Sequence, residues 1–417
     1  PVQTVFWTGK DAGWFDAGTP ESPNWTNFQG MPRNPPNSNT SAVIDAGTSH
    51  IDMPGASVRS LTVGMEGSGS VVIDAGMLES TALARIGYRE GSQGTVVVSG
   101  GSAWTVDDQL IVGLENSSRG EMTISGGGFV STNLFVRIAQ NVGSNGTVMV
   151  RGGSTLTIDD HLEVGREGDG ELIIEAGGNV TNADRGWISA GPGLDLEPEA
   201  KGTVTVSGSG SNWTNGGGLT LWSDATLTIS DGGTVTSNEA AIGNERFDSM
   251  VESIVVVTDE GSSLAVDGEL NLGNGSGAGV LLIASGANVS SGDANVGNSN
   301  NNSDTQSAGT ATITGSGSRW DSDGEIVISS GRHTEGTLTV SNGGVVSSND
   351  RVVVGTNGEL LGDGTIEADV LNRATIAPVG TPGGRPAITG DFVHAHIGTL
   401  QIGPRPTSPG PPSHQPP

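Results

Sequence analysis

The chain has no cysteine, so no disulfide constrains it and no free thiol is exposed to oxidation. Lysine is almost missing. Of 18 basic residues only Lys10 and Lys201 are lysines, which leaves no lysine patch for phosphate. Those 18 stand against 46 acidic residues, and a formal charge of −28 repels nucleic acid and anionic membrane surfaces. Aromatic residues make up 4% and hydrophobic residues 33% of the 417 positions, too few for two or three ordinary compact globules. No apolar run approaches the length needed to span a bilayer. No secretion leader is visible, and the chain opens at Pro1 rather than Met, which is expected of a mature form whose leader has been removed.

Glycine, serine, threonine, asparagine, valine and aspartate are abundant. With 69 glycines and no Gly-X-Y period, the chain is either low-complexity coil or a fold with many tight turns. Short alternating runs of Val, Ile and Leu recur throughout, and alternation over four to six residues signals strands.

The runs repeat in phase. Gly94-Thr-Val-Val-Val-Ser-Gly returns as Gly146-Thr-Val-Met-Val-Arg-Gly and Gly202-Thr-Val-Thr-Val-Ser-Gly, then from Ser253 and from Gly309, at intervals of 51 to 56 residues. Leu-x-Val-Gly (Leu61–Gly64, Leu162–Gly165), Thr-Leu-Thr-Ile followed by Gly-Gly-x-Val, and Ala-x-Ile-Gly (Ala84–Gly87, Ala240–Gly243) accompany it. Each unit of about 54 residues holds six strand-sized pieces, which read as two successive coils of three strands. Six units predict an all-β parallel β-helix (β-solenoid) of about twelve coils, on the order of 60 Å long at ~4.8 Å per coil. Propeller blades also repeat at about this length, but they need longer strands and more aromatics.

Both ends differ from the repeat. Residues 1–40 hold Phe6, Trp7, Trp14, Phe15, Trp25 and Phe28 and are expected to cap one open end. Residues 41–358 carry the repeats, 359–403 read as closing coils, and 404–417 form a proline-rich tail with Pro404, Pro411 and Pro412.

Gly202-Thr-Val-Thr-Val-Ser-Gly-Ser-Gly-Ser-Asn-Trp213 and Thr226-Leu-Thr-Ile-Ser-Asp-Gly-Gly-Thr-Val235 resemble the repeat of bacterial type V secretion (autotransporter) passengers and PEP-CTERM-associated proteins. Phe6-Trp-Thr-Gly with Trp14 resembles the opening of such passengers, and Ala374-Thr-Ile-Ala-Pro with Gly398-Thr-Leu-Gln-Ile resembles their last coils. The resemblance implies a right-handed β-helix secreted or displayed on the bacterial surface, often as part of an adhesin.

Candidate site residues divide into three sets. A Trp recurs in Ser-x-Trp as Trp104, Trp213 and Trp320. Exposed, these rings would stack on carbohydrate; the equivalent Leu156 and Leu264 favour core packing instead. Acidic residues recur before Leu-x-Val-Gly, as in Asp107-Asp108 and Asp159-Asp160. They read as a solvated turn, as loose Ca²⁺ ligands, or as paired acid and base. His394 and His396 are a third, weaker pair. Polysaccharide lyases and hydrolases share the β-helix fold, but their base clusters and signature motifs are missing, so the chain reads as a non-enzyme. The expected role is a structural or adhesin-like surface rod. Its partner is a second copy or a surface glycan or protein receptor. Phe6, Trp7, Trp14 and the prolines Pro404, Pro411 and Pro412 are candidates for head-to-tail fibre assembly.

Overall fold

The computed structural model describes residues 3–19, 22–189, 200–245, 251–298, 306–378 and 386–401. Among these the secondary structure is strand and turn throughout. One coil shows how sequence becomes architecture. Gln93–Ser99 forms the first face, Ala103–Val106 the second and Leu110–Val112 the third. The next coil repeats the order with Arg119–Ile124, Phe129–Thr132 and Val136–Ile138. Strands pair in parallel with their counterparts one coil away, so three ladders run the length of a β-solenoid of about twelve turns.

Register explains the double-length sequence repeat. Gly94 lies against Gly120 and Gly120 against Gly146, 26 residues apart each time. Trp104 stacks on Val130 and Val130 on Leu156. Leu110 stacks on Val136 and Val136 on Leu162. The Ala-x-Ile-Gly piece therefore sits directly on Leu-x-Val-Gly: Ala84 lies between Leu61 and Leu110.

Alternation fixes which side chains go inside. On the first face Val96, Val98, Val148 and Val150 point inward and are fully buried, while the residues that alternate with them, Thr95, Val97, Thr147 and Met149, point outward and are half-buried. The inward residues form one continuous core from Val5 to Ile376. Each fully buried aliphatic contributes roughly 1.5–3 kcal/mol.

Glycine holds most of the third-to-first corners. Gly87 has φ +70°, and a Cβ there would sit 2.3 Å from the carbonyl oxygen of Arg119. Gly120, which opens the first face of the following coil, would place a Cβ 2.3 Å from Ile86 O and 2.4 Å from Gly113 N. Two glycines thus interleave where one coil hands over to the next, closer than any side chain allows.

At the N-terminal end Trp7, Trp14 and Trp25 pack edge to face, with centroids 4.9 and 5.1 Å apart, and Trp25 Nε1 donates to Trp14 O at 3.0 Å. Gln3–Trp7 continues the third ladder in parallel, and its residues Phe6 and Trp7 also pair antiparallel with Trp25–Thr26. This corrects the assembly assignment for Trp7 and Trp14, which are 4% and 0% exposed and spent inside the cap; Phe6 stays half-buried. The opposite end leaves Phe392, Val393, Ile397 and Leu400 exposed. Pro404, Pro411 and Pro412 lie outside the described residues.

Candidate functional site

Trp104, Trp213 and Trp320 occupy inward positions of the second face and are at most 1% exposed. The carbohydrate-platform reading of these three is therefore corrected, because no ring face reaches solvent. Each indole instead finds an acceptor in the preceding coil. Trp104 Nε1 donates to Ser80 Oγ at 3.1 Å, Trp213 Nε1 to Asn182 Oδ1 at 2.8 Å and Trp320 Nε1 to Ser291 Oγ at 3.1 Å. A buried polar residue two positions beyond the preceding inward residue satisfies the Trp above it.

The aspartates are corrected on similar grounds. Val106 stacks on Thr132 and Thr132 on Ile158, so the coil carrying Asn133 and Leu134 separates Asp107-Asp108 from Asp159-Asp160. The pairs lie two coils apart, about 10 Å, too far to share a Ca²⁺ ion. Among the described residues no three His, Asp or Glu side chains converge as a metal site. His394 ends the strand Phe392–His394 and its Nδ1 contacts Asn372 Nδ2 at 3.2 Å, whereas His396 lies beyond that strand.

The third face carries a cluster that the sequence reading missed. From Leu110 to Ile188 its strands are three residues long, and the middle residue points outward. In successive coils that residue is Arg137, Glu163 and Trp187, aligned by register. Glu163 is almost fully buried, with side-chain exposure of 5%. Its carboxylate meets Arg137 Nε at 2.7 Å, His161 Nε2 at 3.3 Å and Arg166 Nε at 3.8 Å. His161 Nδ1 lies 3.2 Å from Asp160. The imidazole is itself sandwiched: its centroid is 4.9 Å from Phe135 and 5.0 Å from Trp187. The Arg137 guanidinium lies 4.0 Å over Phe135.

These contacts set protonation. Burial pushes the Glu163 carboxyl up, but His161 and the two guanidiniums outweigh it and hold the group below its ordinary value. Burial lowers His161, and contact with Glu163 and Asp160 reverses this to leave the imidazole raised. A carboxylate held ionised beside Arg137 does not serve as a general acid. It anchors His161, and His161 backs the indole of Trp187.

Beyond Trp187 the column of outward residues steps down to Thr220 and then Ala241. This drop from a large ring to small side chains opens a groove. Trp187 forms its wall, Gly217, Gly218 and Thr220 its floor, and Asp184, Arg185 and Glu239 stand on its rim. Asp184, Arg185 and Glu239 are exposed, and none enters an ion pair among the described residues. Trp187 Nε1 meets no protein acceptor there, unlike the three core indoles. Parity was the available signal: in Gly186-Trp187-Ile188 the Trp holds the outward position, opposite to that of Trp104.

Comparison with known proteins gives partial matches. No family model matches the chain. A 134-residue stretch, 32% of the chain, is 34% identical to the adhesin BmaC autotransporter of Brucella suis biovar 1 (strain 1330). The match spans 4% of that protein's length. Among solved structures, the TibC-catalysed hyper-glycosylated fragment of TibA aligns over 85% of this chain and 97% of its own, with 17% identity and a TM-score of 0.45. Among the described residues no helix is long and apolar enough to cross a membrane.

Proposed function

We propose that this chain is a segment of a surface-displayed, autotransporter-like adhesin: a rigid rod that works by presenting its long faces to another surface, without catalysis. The single observation that supports this most is the 34% identity to an autotransporter adhesin over 134 residues. The architecture agrees with such a role. The core is a continuous stack of aliphatic side chains, and the buried carboxylate on the third face is tied to two guanidiniums. A non-enzymatic passenger needs length, stiffness and a lateral contact surface, and stacked coils supply all three.

The test is adhesion by the isolated chain. Beads coated with the purified protein should bind host epithelial cells or extracellular matrix several-fold above beads coated with albumin, and soluble chain should compete. Coated beads that bind no better than albumin beads on a broad cell and matrix panel would reject the adhesin role. Turnover of a polysaccharide by the same preparation would reject the non-enzymatic reading.

A further inference from the structure

We propose that the groove beside Trp187 is a binding site for a neutral oligosaccharide, an inference that rests on the adhesin-like role and names its ligand. A pyranose ring presents one face of C–H bonds and an edge of hydroxyls. The groove offers the complement of each. The indole of Trp187 bounds it with an electron-rich ring. The unpaired carboxylates of Asp184 and Glu239 and the amides of Asn238 and Asn244 lie around the wall and floor, where they accept from hydroxyls. Arg185 and Trp187 Nε1 supply donors to ring and hydroxyl oxygens. Few apolar anchors but several convergent polar groups is the reverse of what an apolar peptide needs.

Two features sharpen the ligand class. The chain carries a net charge of −28, and the rim holds two carboxylates against one guanidinium, so a sulfated or sialylated glycan is repelled. The indole is also pre-positioned. His161 packs against it at 5.0 Å and is itself held by Glu163 and Asp160, so little ordering remains to be done on binding.

The full chain would be screened on an array of neutral, sialylated and sulfated oligosaccharides, with hits measured by calorimetry. Two variants test the groove: Trp187→Ala removes the wall, and Thr220→Trp fills the floor from an outward position that leaves the core untouched. Retention of a neutral oligosaccharide that weakens at least tenfold in both variants, with unchanged circular dichroism and Tm, is the expected result. If Trp187→Ala fails to fold, Thr220→Trp alone decides. No retained glycan, retention confined to anionic glycans, or binding that survives the folded variants would overturn the assignment. Bead adhesion without any glycan retention would remove the groove and leave the adhesin role standing. Glycan retention by beads that do not adhere would do the opposite.

Discussion

Ala139 occupies the corner that glycine holds in neighbouring coils. Its φ is +57°, where Gly113 has +75° and Gly165 has +70°. An L-residue in this region bears a penalty of roughly 1–2 kcal/mol, offset here by burial of the methyl group. Two substitutions at equivalent corners should therefore behave differently. Gly113→Ala places a Cβ 2.2 Å from Asn145 O as well as straining φ, and should cost more than about 2 kcal/mol. Ala139→Gly exchanges strain relief for lost burial and should change stability by less than about 1 kcal/mol. Thermal melts of the two variants beside the parent check the contrast; equal Tm losses would refute the corner argument.

The short third-face strands concentrate the titratable chemistry, and their electrostatics give a pH window. His161 is raised, so its contribution to stability is complete below its unfolded value of 6.5 and is lost as pH rises through the higher folded value. Glu163 is lowered, so its contribution is complete above its unfolded value of 4.5 and is lost as pH falls through the lower folded value. Both contributions are whole between about pH 4.5 and 6.5. Stability of this segment should peak in that mildly acidic range, and His161→Phe, which keeps the stack on Phe135, should abolish the decline on the alkaline side. Urea melts from pH 4 to 9 measure this; an unaltered alkaline limb in the variant would show that another group is responsible.

At this same scale much of the fold was legible. Period-two alternation with glycine at fixed offsets predicted short strands, three to a coil, and about twelve coils. Leu156 and Leu264, at the Trp104 position, already indicated an inward residue, and burial agrees. The site was not legible for two reasons. The sequence repeat is two coils long, so residues that recur in sequence, such as Asp107 and Asp159, are not neighbours in space. Arg137, Glu163 and Trp187 share no residue type, and only the register of coils brings the three together.

Across the molecule strands of the described residues pair with the coils before and after them, and an ion pair such as Arg319–Glu367 reaches one coil further, so cooperativity is close to nearest-neighbour in character. Leu156→Ala, which opens a cavity at a fully buried mid-rod position, should cost roughly 2–5 kcal/mol. The loss should be local: hydrogen exchange should accelerate at its ladder neighbours Val130 and Val180 while Ile328 and Leu360 keep their protection. Uniform acceleration along the rod would mean that the stack unfolds as one unit.

Between residues 56 and 354 connections from first to second face stay short, as in Ser99 to Ala103, and those from second to third are equally brief, as in Val106 to Leu110. In that span the third-to-first connection is the one that lengthens: consecutive coils match Gly146 with Gly170 but Gly170 with Gly202. Over those coils one edge of the rod thus accommodates extra residues. Foreign loops or epitopes grafted at that edge would be carried on a stiff shaft, spaced by whole coils and all facing one way.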